Sequence, residues 1–310
     1  MTHGTRKVER AGGKMLSPVS STERIEELRQ RALAHVRGGE YEDALALYDQ
    51  ALALASTEES RELLTINKAD VMIALERSGP EVQALPAILM RRRNLHHTFL
   101  AAYALMFRHR IQSETKRAIF YGHVALDASN EANEPFWKIA ALNDLGIIYE
   151  IDSQFEEAIH CFEEALPMLD VIENPTERAV SHTAIMQNLG YNRLLIGKTR
   201  DGIGTILSIL DAVESPSARA ESYIDLCYGY LELGEHDKAR FYGEAGLSLA
   251  SESRQIRNAH YLLGEASYKS GDSEAAEFHF DELSKFYPQF RNLKNLLFAI
   301  DLRGMVNLKL

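Results

Sequence analysis

The stretch "DLGIIYEIDSQFEEAIHCFEEAL", Asp144 to Leu166, decides the fold. Leu145, Gly146 and Tyr149 lie on a first short helix, and Phe155, Ala158, Phe162 and Ala165 recur on a second at three- and four-residue spacing. A glycine on one helix facing an Ala, aromatic, Ala ladder on the next is the pattern of a tightly packed helical hairpin. Such a hairpin cannot bury its apolar faces alone. Copies must stack to join those faces into one core, so the pattern should recur along the chain at a fixed period.

Copies are found on both sides. "RALAHVRGGEYEDALALYDQALAL" places Ala32 at the small position, Gly39 in the turn, and Tyr41, Ala44, Tyr48 and Ala51 on the ladder. "NLGYNRLLIGKTRDGIGTILSIL" keeps Leu189, Gly190, Gly197 and Gly202, with Ile206 and Ile209 in place of the aromatic and the second alanine. "DLCYGYLELGEHDKARFYGEAGL" carries Leu226, Cys227, Tyr230, Gly234, Ala239, Gly243 and Gly246. "LLGEASYKSGDSEAAEFHFDELSKFYP" adds Leu263, Gly264, Gly271, Ala276, Phe280 and the closing Pro288. The small position recurs at 32, 146, 190, 227 and 264. The later intervals are 44, 37 and 37 residues, and the first, 114, is three times 38.

This pattern resembles the tetratricopeptide repeat, whose usual period is about 34 residues. The resemblance implies an all-α, right-handed α-solenoid of about seven helical hairpins over 22–288. The repeats fall at 22–56, 58–93, 94–130, 135–171, 175–214, 216–251 and 253–288, the second and third degenerate. A disordered tail is expected over 1–21. After Pro288, Leu293, Leu296, Leu297 and Ile300 predict an amphipathic capping helix, and an apolar tail with Val306, Leu308 and Leu310 continues to 310 as a candidate homodimer contact.

The bulk composition is that of a globular chain, 45% apolar and 25% charged over 310 residues. A net charge of −11 excludes broad wrapping of a polyphosphate, and no nucleic acid is expected as a partner. Cys161 and Cys227 fall inside helical patterns without metal-ligand spacing, so both are read as small buried residues. No secretory signal and no run of ~20 apolar residues is present, so the expectation is a cytoplasmic protein without a membrane span.

One stretch opposes the acidic balance. From Arg91 to His123 the charges sum to +6, leaving −17 elsewhere, and "RRRNLHH" suggests either an anion site or a metal site. A hairpin array requires a break near Arg93 and Asn94. The break puts Arg91, Arg92 and Arg93 at one helix end and Arg108 and Arg110 at another, where carbonyl groups favour cations. Lys116 and Arg117, by contrast, sit near the start of a helix expected to be capped by Ser113, where the dipole disfavours them; they are the candidate anion or partner contacts. Adjacent His96 and His97 point about 100° apart on a helix and cannot share an ion, so no metal and no cofactor is expected.

The resemblance implies a groove lined by the first helix of each hairpin. Transferred position by position, its lining is Arg29 and Arg37; Asn143, Ile147 and Glu150; Gln187 and Tyr191; Ile224, Tyr228 and Glu232; Tyr261, Glu265, Tyr268 and Lys269. Tyrosine offers contact area with a polar handle, and the glutamates favour a protein or peptide partner of basic or mixed charge. No phosphate loop, nucleophile elbow or metalloprotease motif is present, so no catalytic residue is assigned. The resemblance thus implies a non-catalytic adaptor or scaffold that binds a peptide segment. The alternative is a ligand- or peptide-sensing regulator of a transcription or signalling partner. Such sensors usually carry an output domain, for which the residues before the first repeat are too few; this favours the adaptor.

Overall fold

The computed structural model describes residues 20–288. Apart from Ser20 and Ser21, the expected N-terminal tail lies outside this range, as do the expected capping helix and apolar tail. Fourteen α-helices fill the described residues, which contain no strand. They gather into two compact units, one ending at Arg93 and the other beginning at Asn94.

The first unit holds α1 (Ser21–Arg37), α2 (Tyr41–Leu54), α3 (Glu58–Ala74) and α4 (Pro80–Arg91). Ser20 and Glu23 close a capping box at the start of α1: the Glu23 N–H donates to Ser20 Oγ at 3.2 Å and the Ser20 N–H to Glu23 Oε2 at 2.8 Å. Ala32 on α1 faces the ladder of Ala44, Tyr48 and Ala51 on α2, all buried. Gly79 and Pro80, whose composition suggests the end of a helix, instead open α4 as N-cap and first residue, and α3 ends earlier, before left-handed Glu76.

Two helices, not one, occupy 80–111. α4 ends at Arg91, Arg92 adopts φ 42°, and the Asn94 side chain accepts from the His96 and His97 N–H groups at 2.9 and 3.3 Å to start α5.

The second unit stacks five hairpins: α5 (Leu95–Ile111) with α6 (Thr115–Ala132), α7 (Pro135–Ile151) with α8 (Phe155–Ala165), α9 (Pro175–Leu195) with α10 (Thr199–Ile209), α11 (Pro216–Glu232) with α12 (His236–Leu249), and α13 (Ser253–Ser270) with α14 (Ser273–Phe286). Each hairpin turn passes through one left-handed residue: Ser113, Ser153, Gly197, Gly234 and Gly271. In four of the turns the next N–H reaches back to a carbonyl of the first helix, as from Gln154 to Tyr149 at 2.8 Å and Glu235 to Tyr230 at 2.9 Å. Ser113 is therefore a turn residue at φ 57°, not the cap of α6. The N-cap position belongs to Glu114, whose side chain makes no capping bond.

The small residues set the helix spacing. A β-carbon on Gly190 would lie 2.6 Å from Ile206 Cγ1, and one on Gly202 would lie 2.7 Å from the Gly190 carbonyl oxygen. Cys227 is buried where α11 meets Gly243 of α12. The first helices of successive hairpins, α5, α7, α9, α11 and α13, also pack on one another, while the second helices make no comparable contact with each other. The first helices are thus on the inner, tighter side of the stack.

α9 is the exception in length, 21 residues against 17 in α7 and α11. Its extra N-terminal turn, together with a 3-10 turn at Leu166–Val171, accounts for the long interval between Gly146 and Gly190.

Candidate partner-binding face

The long α9 stands as a ridge on the inner face of the second unit, with a cleft on each side. The first, of about 280 Å³, lies between α7 and α9 and is lined by Phe136, Ala140, Asn143, Val180 and Ala184, with Tyr103 of α5 beside them. The second, of about 360 Å³, lies between α9 and the start of α11; Val180, Thr183, Ala184, Gln187, Val213 and Ala218 line it. Val180 and Ala184 form the shared wall. Phe136 is 58% exposed and Val180 60%, so large apolar groups face solvent at the clefts.

Polar contacts flank the clefts, along α5, α7 and α9 and near the starts of α11 and α13. Tyr103 donates to Asp144 Oδ2, and burial raises the Asp144 carboxyl above its ordinary range against that bond. Asn192 donates to Glu150 Oε2 at 2.5 Å. Arg254 grips Glu221 with two bonds of 2.8 and 3.0 Å, and Gln255 adds one to the same carboxylate at 3.3 Å. Asn143 Oδ1, beside the first cleft, is buried and finds no donor among the described residues.

The residues named from the sequence divide among several settings. Asn143 and Gln187 border the clefts, Gln187 donating to the Ala218 carbonyl at 3.4 Å. Glu150 faces the same surface, engaged by Asn192. Tyr191 and Tyr261, 3% and 1% exposed, are interior, as is Glu265, which accepts from Lys269 at 2.6 Å. Burial, with Asp225 and Glu150 next in importance, pushes the Tyr191 hydroxyl well above its usual pKa. Tyr228 packs against the core of α11 and α13, while Glu232 and Tyr268 are exposed. Arg29 and Arg37 belong to the first unit; Arg29 is held by Glu26 through two 2.8 Å bonds, and Arg37 is exposed at the end of α1. Phe136, Ala140, Val180 and Ala184 escaped the sequence reading. Their signal was the 44-residue interval ahead of Gly190, which marks the one lengthened helix.

The basic stretch is largely answered from within. Arg91 reaches Glu62 at 3.1 Å and Glu58 at 3.7 Å, and Arg93 also pairs with Glu58, so carboxylates of α3 do the work expected of helix carbonyls. Arg110 lies over the Phe107 ring at 4.8 Å. His96 stacks on Trp137 with ring centres 4.9 Å apart, and His97 is buried. Arg117 pairs with Glu114 at 2.9 Å; Lys116 is exposed.

One trio among the described residues, His35, Glu40 and Asp43, brings three metal-ligand atoms within 4.8 Å of one another. Its His–Glu pair recurs in the third hairpin as His109 and Glu114, at 2.6 Å, where Arg117 stands in the place of Asp43. The contact is therefore a feature of the hairpin turn. No helix among the described residues is long and apolar enough to cross a membrane.

No protein-family model matches the sequence, and no curated protein matches it. Solved structures do match the fold. The apo form of RapI superimposes with a TM-score of 0.71 at 13% identity, over 91% of this chain and 84% of that one. A Rap protein complexed with competence and sporulation factor gives 0.63 at 15% identity, over 93% and 85%. A signal transduction ATPase with a tetratricopeptide repeat sensor, from Pyrococcus horikoshii, gives 0.70 at 14% identity over 87% of this chain and 43% of that longer one. The chain has the all-α tetratricopeptide-repeat fold that Gly146 and its ladder imply.

Proposed function

We propose that the protein is a non-catalytic adaptor that takes up a peptide segment of a partner on the inner face of α7, α9 and α11. The observation that carries this reading is the pair of clefts beside α9, whose solvent-facing walls include Phe136 and Val180. Leaving these groups in water forgoes about 25 cal/mol per Å² of apolar surface, which an apolar occupant recovers.

A second reading, a regulator whose state depends on a bound peptide, is favoured by the likeness in fold to a Rap protein complexed with competence and sporulation factor. The two readings share one site and differ in the consequence of its occupancy.

Random dodecapeptides displayed on phage and selected on the full chain test the shared reading. Selected peptides bind the wild type, lose at least tenfold in affinity on Val180→Asp, and are unaffected by Phe241→Ala, which alters an exposed aromatic of α12 away from the clefts. Binding indifferent to Val180→Asp would sink the reading. Small-angle scattering with and without a selected peptide separates a regulator, which changes its dimensions on binding, from a rigid adaptor, which does not.

A further inference from the structure

We infer that the segment bound here is a cationic one that places two apolar side chains about 9 Å apart, one on each side of α9, and a lysine or arginine over the loops at the N-terminal end of that helix. This rests on the reading of the face as a peptide site and names the chemistry of the peptide.

The two clefts are separate because Val180 and Ala184 rise between them. Their volumes, about 280 and 360 Å³, fall just below and just above the lower bound of the roughly 300–1,000 Å³ of pockets that hold whole small molecules. Each suits one large side chain. Adjacent packed helices lie about 8–10 Å apart, so the clefts flanking one helix are offset by about that distance. An extended segment of polyproline type advances ~3.1 Å per residue with three residues per turn, so side chains at i and i+3 share a face and stand ~9 Å apart. Strand-like alternation, with ~6.6 Å between i and i+2, falls short.

Charge decides what accompanies the pair. The loops that lead into α9 and α11 carry exposed Glu173, Asp211 and Glu214, the first turn of α9 adds exposed Glu177, and Glu214 lines the second cleft itself. Of the cations nearby, Arg178 pairs with Asp170 at 3.6 Å, and Arg219, held on the Val213 carbonyl at 3.0 Å from Nε, keeps its charge; counting Asp170, five carboxylates still face these two guanidiniums. Farther along the helices stand Asp144, Glu150 and Asp225, with Arg110 acting on Asp144, while Glu221 near the start of α11 is answered by Arg254. An apolar floor between two acidic margins fits an apolar segment with basic residues and repels an acidic one.

The same display selection tests this, with fluorescein-labelled peptides from it titrated by anisotropy against the full chain. Peptides that enrich should carry a large apolar pair at i and i+3 and net positive charge. Replacing either apolar residue by Ala should weaken binding at least tenfold. Glu173→Gln, Glu177→Gln and Glu214→Gln together should weaken the basic peptides at least fivefold in low salt, and a Lys→Gln version of the peptide hardly at all. Ala184→Trp, at an exposed wall position, should abolish binding, and Val180→Asp serves the same end if that variant folds poorly by circular dichroism. Peptides that are sensitive to Ala184→Trp but acidic, or that lack the i, i+3 pair, would overturn this inference and leave the peptide-binding reading intact. Selection of no Ala184→Trp-sensitive peptide would overturn both. Tighter binding after deletion of residues 289–310, or concentration-dependent loss of binding through self-association, would identify this chain as the occupant and overturn the assignment to a partner.

Discussion

Gly146 of α7 stands against the ring of Phe162 of α8 so closely that a β-carbon on the glycine would lie 2.6 Å from two ring carbons. Phe162 is fully buried and cannot swing away without opening the core it shares with Leu142, Leu145 and Ala165. The pair is what makes the second hairpin of this unit a close-packed one.

Gly146→Ala should therefore destabilise the protein by about 1–3 kcal/mol through overpacking, despite the better helix propensity of alanine. Phe162→Leu in the same chain should return part of that loss, because the smaller side chain vacates the space. Urea unfolding of the two single variants and the double variant measures the coupling. Additive losses would show that the two residues do not compete for one volume.

The hairpin turns offer a converse test. Ser153 adopts φ 59° and Gly39 φ 76°, the same left-handed corner in two turns. A residue with a β-carbon is disfavoured there by about 1–2 kcal/mol relative to glycine. Ser153→Gly should raise stability by about 1 kcal/mol and Gly39→Ala should lower it by a similar amount, both read from denaturant midpoints.

Acid sensitivity should centre on α13 and α14. His260 and His279 are buried with their Nδ1 atoms 3.0 Å apart. Burial holds both imidazoles below the ordinary 6.5, and His260 helps carry His279 down to about 4, while Glu282 and Asp272 pull the other way and Lys285 opposes protonation of His260. With folded values below the unfolded one, the unfolded chain takes up protons first as pH falls. The contribution of this pair to stability is therefore level above pH 6.5, declines between 6.5 and about 4, and is level again below, the His279 share being on the order of 3 kcal/mol. His279→Gln should flatten that decline in thermal midpoints measured across the window; parallel curves for wild type and variant would refute the assignment.

Glu221 and Arg254 tie α11 to α13 by two charge-assisted bonds, with the carboxylate largely buried. Glu221→Gln should cost on the order of 2 kcal/mol, since it removes the principal charge partner of a partly desolvated guanidinium and leaves it Glu252 at 4.0 Å. Arg254→Met should cost less than the glutamine variant, having removed the charge rather than stranded it. Unfolding free energies at neutral pH distinguish the two.

Much of the fold was legible because its determinants are local and periodic. A small residue facing an aromatic ladder, repeated at near-regular intervals, specifies helix pairs and their spacing, and Gly146, Gly190 and Cys227 occupy the close contacts their positions imply. The charge run from Arg91 to Arg93 was misleading for the opposite reason. Its partners, Glu58 and Glu62, lie some thirty residues earlier on another helix, and composition alone does not reveal the pairing. The candidate site was legible only in part. Helical period assigns a residue to a face, and that sufficed for Asn143 and Gln187 beside the clefts, but Tyr191 and Tyr261 on the same face are covered once their neighbours pack. By itself, then, the sequence determined the helix pairs, their turns and their tight contacts, which depend on residues close along the chain. Only the tertiary structure decided which inner residues remain open to solvent, because the α9 ridge and its two clefts arise from the lengths of three helices measured against each other.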